Sequence, residues 1–237
     1  MVVAEGEKVI WAALASGLEI RELFVAEGSD PTLEDAASRA GAIVHRLAGG
    51  VLERVASTVT PQSEIALIAA PSATVDDLAG ADLVLVGVAI QDPGNAGTMV
   101  RTAHAVGASG ILFSEGSVDA FNPKTVRSSA GAVFSLPVVQ GVPAEDAMKA
   151  LGRLRLFRLG TAAGAETDLY ETDLTGPTAV VLGNEAHGLP DALHEHLDAT
   201  VRIPMTGPAD SLNVAVAGAI VCFEAARQRR AKARNDS

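Results

Sequence analysis

Ala179-Val180-Val181-Leu182-Gly183-Asn184-Glu185-Ala186-His187-Gly188-Leu189-Pro190 is the stretch whose reading decides the fold. Its four uninterrupted aliphatic residues read as a strand buried on both faces, the mark of a parallel sheet. The strand stops on Gly183, and polar Asn184 and Glu185 follow at once. A short apolar segment, Val201-Arg202-Ile203-Pro204, comes next. Then Asp210-Ser211-Leu212-Asn213-Val214-Ala215-Val216-Ala217 opens a long helix. Two polar clusters, Asn184/Glu185 and Ser211/Asn213, thus stand where apolar elements end or begin. At such junctions side chains and backbone groups are available for chemistry.

Composition agrees with layered α/β structure. The chain of 237 residues is 48% hydrophobic but only 3% aromatic, so its core is built from Ala, Val, Leu and Ile. Its longest apolar runs, Leu83–Ile90 and Val214–Phe223, fall short of the ~18 residues a membrane span needs. With Glu5 and Glu7 and no basic cluster at the start, a secretory signal is not expected, and the cytoplasm is the expected compartment. The lone Cys222 excludes a disulfide framework and reads as a small buried hydrophobe. The net charge of −11 argues against indiscriminate nucleic-acid binding. Its distribution is uneven, however. Residues 1–80 hold 5 basic and 12 acidic side chains, whereas the rest hold 13 and 17, five of the basic ones between Arg227 and Arg234. That basic run reads as a frayed helix end complementing the dipole.

Two units of unequal size are expected. Helical periodicity over 5–16, a strand at Glu22–Ala26, a helix at Pro31–Ala40 and a strand at Ala42–His45 come first. A helical turn at Gly49–Ala56 and a strand at Glu64–Ala70, bounded by Pro61 and Pro71, complete a small αβαβαβ unit over 1–72. Residues 73–81 read as a linker and 82–237 as the larger unit. There, strands are expected at Leu83–Val88, Gly110–Phe113, Leu136–Val139, Leu154–Leu159, Ala179–Leu182 and Val201–Ile203. Helices are expected at Ala96–Val106, Pro123–Ser129, Ala144–Leu151 and Asp191–Leu197. Such alternation predicts a parallel sheet with helices on both faces, whose ligands bind at the carboxyl ends of the strands.

The segment after the first large-unit strand, Gln91-Asp92-Pro93-Gly94-Asn95-Ala96-Gly97-Thr98, has neither dinucleotide-fingerprint nor P-loop spacing. Asn95 is expected to cap the helix that carries Arg101, and Gly107 to end it. His194 and His196, two residues apart, point to different sides of a helix, so no metal site is expected. Taken alone, Ser211 and Asn213 read as ordinary capping residues at a helix start, and Glu185 as a solvated loop acid.

Three separated segments together resemble the SpoU/TrmH family of RNA ribose 2′-O-methyltransferases. They are Asp92–Ala103, Gly183–Leu189, and Ile203–Met205 with Ser211–Ala217. Asn122-Pro123-Lys124-Thr125-Val126-Arg127-Ser128-Ser129-Ala130-Gly131-Ala132 is similar to a further family segment. Residues 1–72, with Glu5-Gly6-Glu7-Lys8 and Thr60-Pro61-Gln62, look like the small L30-like substrate domain that often precedes it.

The resemblance implies a SPOUT-type parallel sheet with a C-terminal trefoil knot, S-adenosylmethionine as methyl donor and a homodimer. By position it assigns catalysis to Arg101, Asn95, Glu185, Ser211 and Asn213. It assigns the cofactor to Leu159, Gly160, Thr161, Leu182, Gly183, Asn184, Ile203, Met205, Ser211 and Leu212. Close ligand approach would also suit glycine at 183 and 188. Lys124 and Arg127 are candidates for gripping RNA phosphate. Ribosomal RNA is the expected substrate, ahead of transfer RNA, and a non-catalytic ribosome-assembly role is the competing reading. A ribose hydroxyl is a weak nucleophile, so its developing negative charge needs stabilisation. A guanidinium held by Glu185 would supply it.

Overall fold

The computed structural model describes residues 1–55, 62–208 and 210–235; the side chains of Glu53 and Val55 are not described. Thr60 and Pro61, part of the small-unit resemblance, and Ala56 lie outside the described residues.

The small unit runs β1 (Val2–Glu5), α1 (Glu7–Ala15), β2 (Ile20–Ala26), α2 (Pro31–Arg39), β3 (Ile43–Leu47), the single turn α3 (Leu52–Val55) and β4 (Glu64–Ile68). Its first strand was not expected: four residues ahead of a helix are too short to show an alternation. Sheet order is β1-β4-β2-β3, antiparallel except for the β2–β3 pair. Pro31 at the first helical position and Asp30, whose carboxylate accepts the Thr32 N–H at 2.9 Å, start α2.

Residues 73–81 are packed and not a free tether. Thr74 and Asp77 form a reciprocal cap on a 3-10 turn at Val75–Leu78. Leu78 is buried so tightly that a Cβ at Gly110 would lie 2.4 Å from it.

The large unit follows as β5 (Leu83–Gly87), α4 (Pro93–Val106), β6 (Gly110–Ser114), α5 (Pro123–Ser128), β7 (Val138–Val142) and α6 (Ala144–Arg153). It continues with β8 (Phe157–Thr161), the two-residue β9 (Thr167–Asp168), β10 (Thr178–Leu182), α7 (Asp191–His194), β11 (Ala199–Arg202) and α8 (Val214–Asn235). The order β7-β6-β5-β10-β8-β11-β9 is parallel throughout. The sheet's period of two sorts the aliphatics onto two layers. Leu83, Leu85, Val180 and Leu182 face the layer shared with α4, α5 and α8, while Val84, Val86, Ala179 and Val181 face that of α6 and α7. Each of these Val and Leu side chains, fully buried, contributes about 1.5–3 kcal/mol before chain entropy is charged.

Beyond β11, near the sheet's edge, the chain returns so that α8 packs on α4 and on β10 at the sheet's middle. Its buried face is Val214, Ala215, Gly218, Val221, Cys222 and Ala225; burial pushes the Cys222 thiol up to about 12. The basic tail continues α8 to Asn235. Within it, Arg229 is half-buried, donating to the carbonyls of Leu174, Asp82 and Gly176.

Candidate active site

The carboxyl rim of the parallel sheet gathers the residues quoted first. At the start of α4, the cap is Asp92 and not Asn95: the Asp92 carboxylate accepts the Asn95 N–H at 2.9 Å. The signal was present, since Pro93 in the first helical position makes the residue before it the cap. That bond, with the Lys124 ammonium 3.7 Å away, holds the Asp92 carboxyl below the usual carboxylate range. At the other end, Gly107 closes α4 in the left-handed conformation, φ +72°, as expected.

Relieved of capping, the Asn95 amide spans the rim. Its Nδ2 donates to Glu185 Oε1 at 2.9 Å, and its Oδ1 accepts from Asn213 Nδ2 at 2.9 Å. Asn213 in turn accepts the N–H groups of Ala215 and Val216, at 3.0 and 3.3 Å. It is therefore both the cap of α8 and a member of the cluster. Three segments up to 118 residues apart are joined by their side chains alone.

Behind them, Asn184 fixes the loop after β10. Its Nδ2 donates to the Ala89 carbonyl at 2.8 Å, and its Oδ1 accepts from the N–H of Ala186 and of His187. Ala89 is left-handed at φ +52°, a strained setting for a side chain with a Cβ. Its N–H donates to Ser114 Oγ, and the next N–H, of Ile90, to Ser117 Oγ. The sequence reading missed these two serines, because nothing distinguishes them from any polar residues after a strand.

Glycine at 183 has a different cause from the one expected. A Cβ there would lie 2.1 Å from the Gly188 carbonyl carbon, so the loop closes on its own backbone at this point. Gly188 sits at φ +68°, which also suits glycine.

Beside the cluster lies a cavity of about 120 Å³. It is lined by Thr161, Ala162, Ala163 and Val201 together with Ile203, Met205, Ser211 and Leu212. Of the residues expected at a cofactor, Thr161, Ile203, Met205, Ser211 and Leu212 line it. Leu159 and Leu182 are core residues, and Gly160 packs against Leu197 and Leu189. Gly183 and Asn184 shape the adjoining loop.

Arg101 stands apart. It is exposed on α4, six residues past Asn95, about 9 Å along the axis. Glu185 bonds Asn95 and not Arg101, so the expected pairing of that acid with the guanidinium is not formed. Lys124 is exposed near Asp92, whereas Arg127 turns away to Glu5 of the small unit, Nη1 to Oε2 3.3 Å. Among the described residues no group of three or more His, Cys, Asp or Glu could hold a metal ion, and no helix is long and apolar enough to cross a membrane.

A parallel α/β sheet with polar side chains and a cavity at one rim defines a protein that binds a ligand there. The description of the SpoU rRNA Methylase family matches residues 82–223, and that of RNA 2′-O ribose methyltransferase substrate binding matches residues 3–74. The chain belongs to the SpoU/TrmH family of RNA 2′-O-ribose methyltransferases. It is 37% identical over 221 residues to the 23S rRNA (guanosine(2553)-2′-O)-methyltransferase RlmP of Bacillus subtilis, covering 92% of this chain and 86% of that protein. It is 36% identical over 234 residues to the 23S rRNA (guanosine-2′-O-)-methyltransferase RlmB of Xanthomonas axonopodis, covering 92% and 94%. Among solved structures, the SpoU methyltransferase AviRb of Streptomyces viridochromogenes in complex with AdoMet superposes with a TM-score of 0.87. The two are 29% identical, with 97% of this chain and 90% of that one covered.

Proposed function

We propose that this chain methylates a ribose 2′-hydroxyl of 23S ribosomal RNA with S-adenosylmethionine as donor. The observation that carries the reading is the Asn95–Glu185–Asn213 cluster set beside the cavity of Thr161, Ile203, Ser211 and Leu212. The two relatives named act on 23S rRNA, and a solved structure similar to this chain holds AdoMet.

The cavity residues fit such a cofactor in kind. Ala162, Ile203 and Leu212 present apolar walls suited to a purine, and Thr161 and Ser211 present hydroxyls. At about 120 Å³ the cavity would hold a portion of the cofactor, with Thr161, Ile203, Met205, Ser211 and Leu212 as its contacts. Bound there, S-adenosylmethionine supplies an electrophilic methyl group. Arg101, a permanent cation, holds an RNA phosphate and stabilises the negative charge that grows on the attacking oxygen. Asn95, Glu185, Ser211 and Asn213 orient the ribose, and Lys124 contacts phosphate.

A homodimer belongs to the same proposal. Val216, 46% exposed, and Phe223, 50% exposed, face outward on α8, with half-buried Ala219 and Ile220 beside them. An apolar face of this kind needs a cover. Ala215 is instead buried against the core. The trefoil knot is supported by the return of the chain from β11 to α8 on β10.

Mapping ribose methylation in total RNA from a strain lacking the gene tests the reading. One 2′-O-methyl group should vanish from 23S rRNA and be restored in vitro by the protein with labelled S-adenosylmethionine. An unchanged map would refute it, and a loss confined to transfer RNA would move the substrate.

A further inference from the structure

The small and large units meet at α5. Arg127, near its end, reaches Glu5 at the end of β1, whose side chain is 3% exposed. The next residue, Ser128, faces the other way: its Oγ donates to the Pro93 carbonyl in the first turn of α4, at 3.1 Å. α5 and α4 pack so closely there that a Cβ at Gly97 would fall 1.8 Å from Ser128 Oγ and 2.7 Å from the Thr125 carbonyl. Adjacent residues of one short helix thus connect β1 of the small unit to the turn that carries Asn95. Close by, a Cβ at Gly131 would come within 2.7 Å of the Ala12 Cβ, so α1 also rests on the backbone just beyond α5.

These contacts differ in kind. The α1 contact is mostly apolar packing, with one exposed hydroxyl pair, Ser16 Oγ and Ser135 Oγ at 3.3 Å, and supplies adhesion. A buried carboxylate facing a guanidinium holds one geometry, because a charge-assisted hydrogen bond out of water is directional. We infer that Glu5 and Arg127 are positioning residues, fixing the angle at which the small unit presents RNA to the Asn95 cluster. This rests on the RNA methyltransferase reading above. It also takes Arg127 out of direct phosphate contact, leaving Lys124 for that work.

The test uses the full chain, with Glu5→Gln, Arg127→Met, Arg127→Lys and the Glu5→Gln/Arg127→Met double variant. Methyl transfer is measured on rRNA from the deletion strain, and S-adenosylmethionine binding by calorimetry. Glu5→Gln and Arg127→Met should each lower kcat/KM about tenfold, chiefly through a raised KM, with cofactor affinity unchanged. The double variant should be no worse than the poorer single, since residues acting through each other are not additive. Arg127→Lys should recover most of the loss. Full additivity would overturn the inference. So would a Glu5→Gln variant within twofold of wild type alongside a damaged Arg127→Met, which would make Arg127 a phosphate contact. Should wild type transfer no methyl group, the functional reading fails by itself. Amide exchange then decides the pair: equal protection of residues 6–9 and 130–132 in Glu5→Gln and wild type would overturn it.

Discussion

The two sheets are built from the same aliphatic residues, yet the cluster of Asn95, Glu185 and Asn213 is assembled on the large one. In the small unit β1, β2 and β3 run one way and β4 runs against them, so at most three strand ends share a rim. In the large unit all seven strands run one way. The segments after β5, β10 and β11 therefore open on a single rim, where Asn95, Glu185 and Asn213 meet. The lesson is topological: a shared strand direction lets residues distant in sequence converge without any long side chain.

The sharpest way to break that contrast is Arg101→Ala. If the large unit carries the chemistry and Arg101 serves it, transfer should fall on the order of 10³-fold, about 4 kcal/mol in the barrier. Calorimetry should find S-adenosylmethionine binding intact. Activity within a few-fold of wild type would remove Arg101 from the mechanism. Loss of cofactor affinity would instead place it in the cofactor pocket.

Removing the small unit comes next. A chain of residues 72–237 keeps Ala73 paired with Val139 and Leu78 in the core, and so should fold and bind cofactor. Its kcat/KM on RNA should drop roughly 30-fold, about 2 kcal/mol, mostly in KM. Filter binding that finds RNA affinity unchanged would deny the small unit a part in recognition.

The smallest effect concerns the large sheet's far side, where strands β8 and β11 are tied by charge. Arg158 donates through Nε and Nη2 to Asp198, at 2.8 and 2.7 Å, and through its own backbone N–H at 2.8 Å. These bonds, the Arg158 side chain's first, hold the Asp198 carboxyl below its ordinary value, and the same bond raises Arg158. A lowered acid contributes its stability above the unfolded value of 3.8 and loses it as pH falls through the folded value. Asp198→Asn should cost about 1 kcal/mol at pH 7, discounted for partial exposure, and less as pH drops below about 4. Urea titrations at several pH values will show it; a deficit that persists in acid would mean the ion pair is not its source.

The sequence by itself determined the parallel sheet, because runs such as Ala179–Leu182 have no polar side to turn to water. Asn95, Glu185 and Asn213 it named only through the resemblance of their segments to the SpoU/TrmH family, because by position alone they read as helix caps and a loop acid. What it could not supply was their pairing. Reading Asn95 as a cap overlooked Pro93, and Glu185 was matched with Arg101 by charge when the rim gives it to Asn95. Gly183 answers to the backbone of Gly188 and Leu189, a contact made only when the loop closes. Glu5 and Arg127, 122 residues apart, carry no mark of each other in the sequence. Local pattern settles which face of an element is buried, because that depends on near neighbours and periodicity. Which polar group meets which is settled by chain direction and helix packing, and these exist only in the folded molecule.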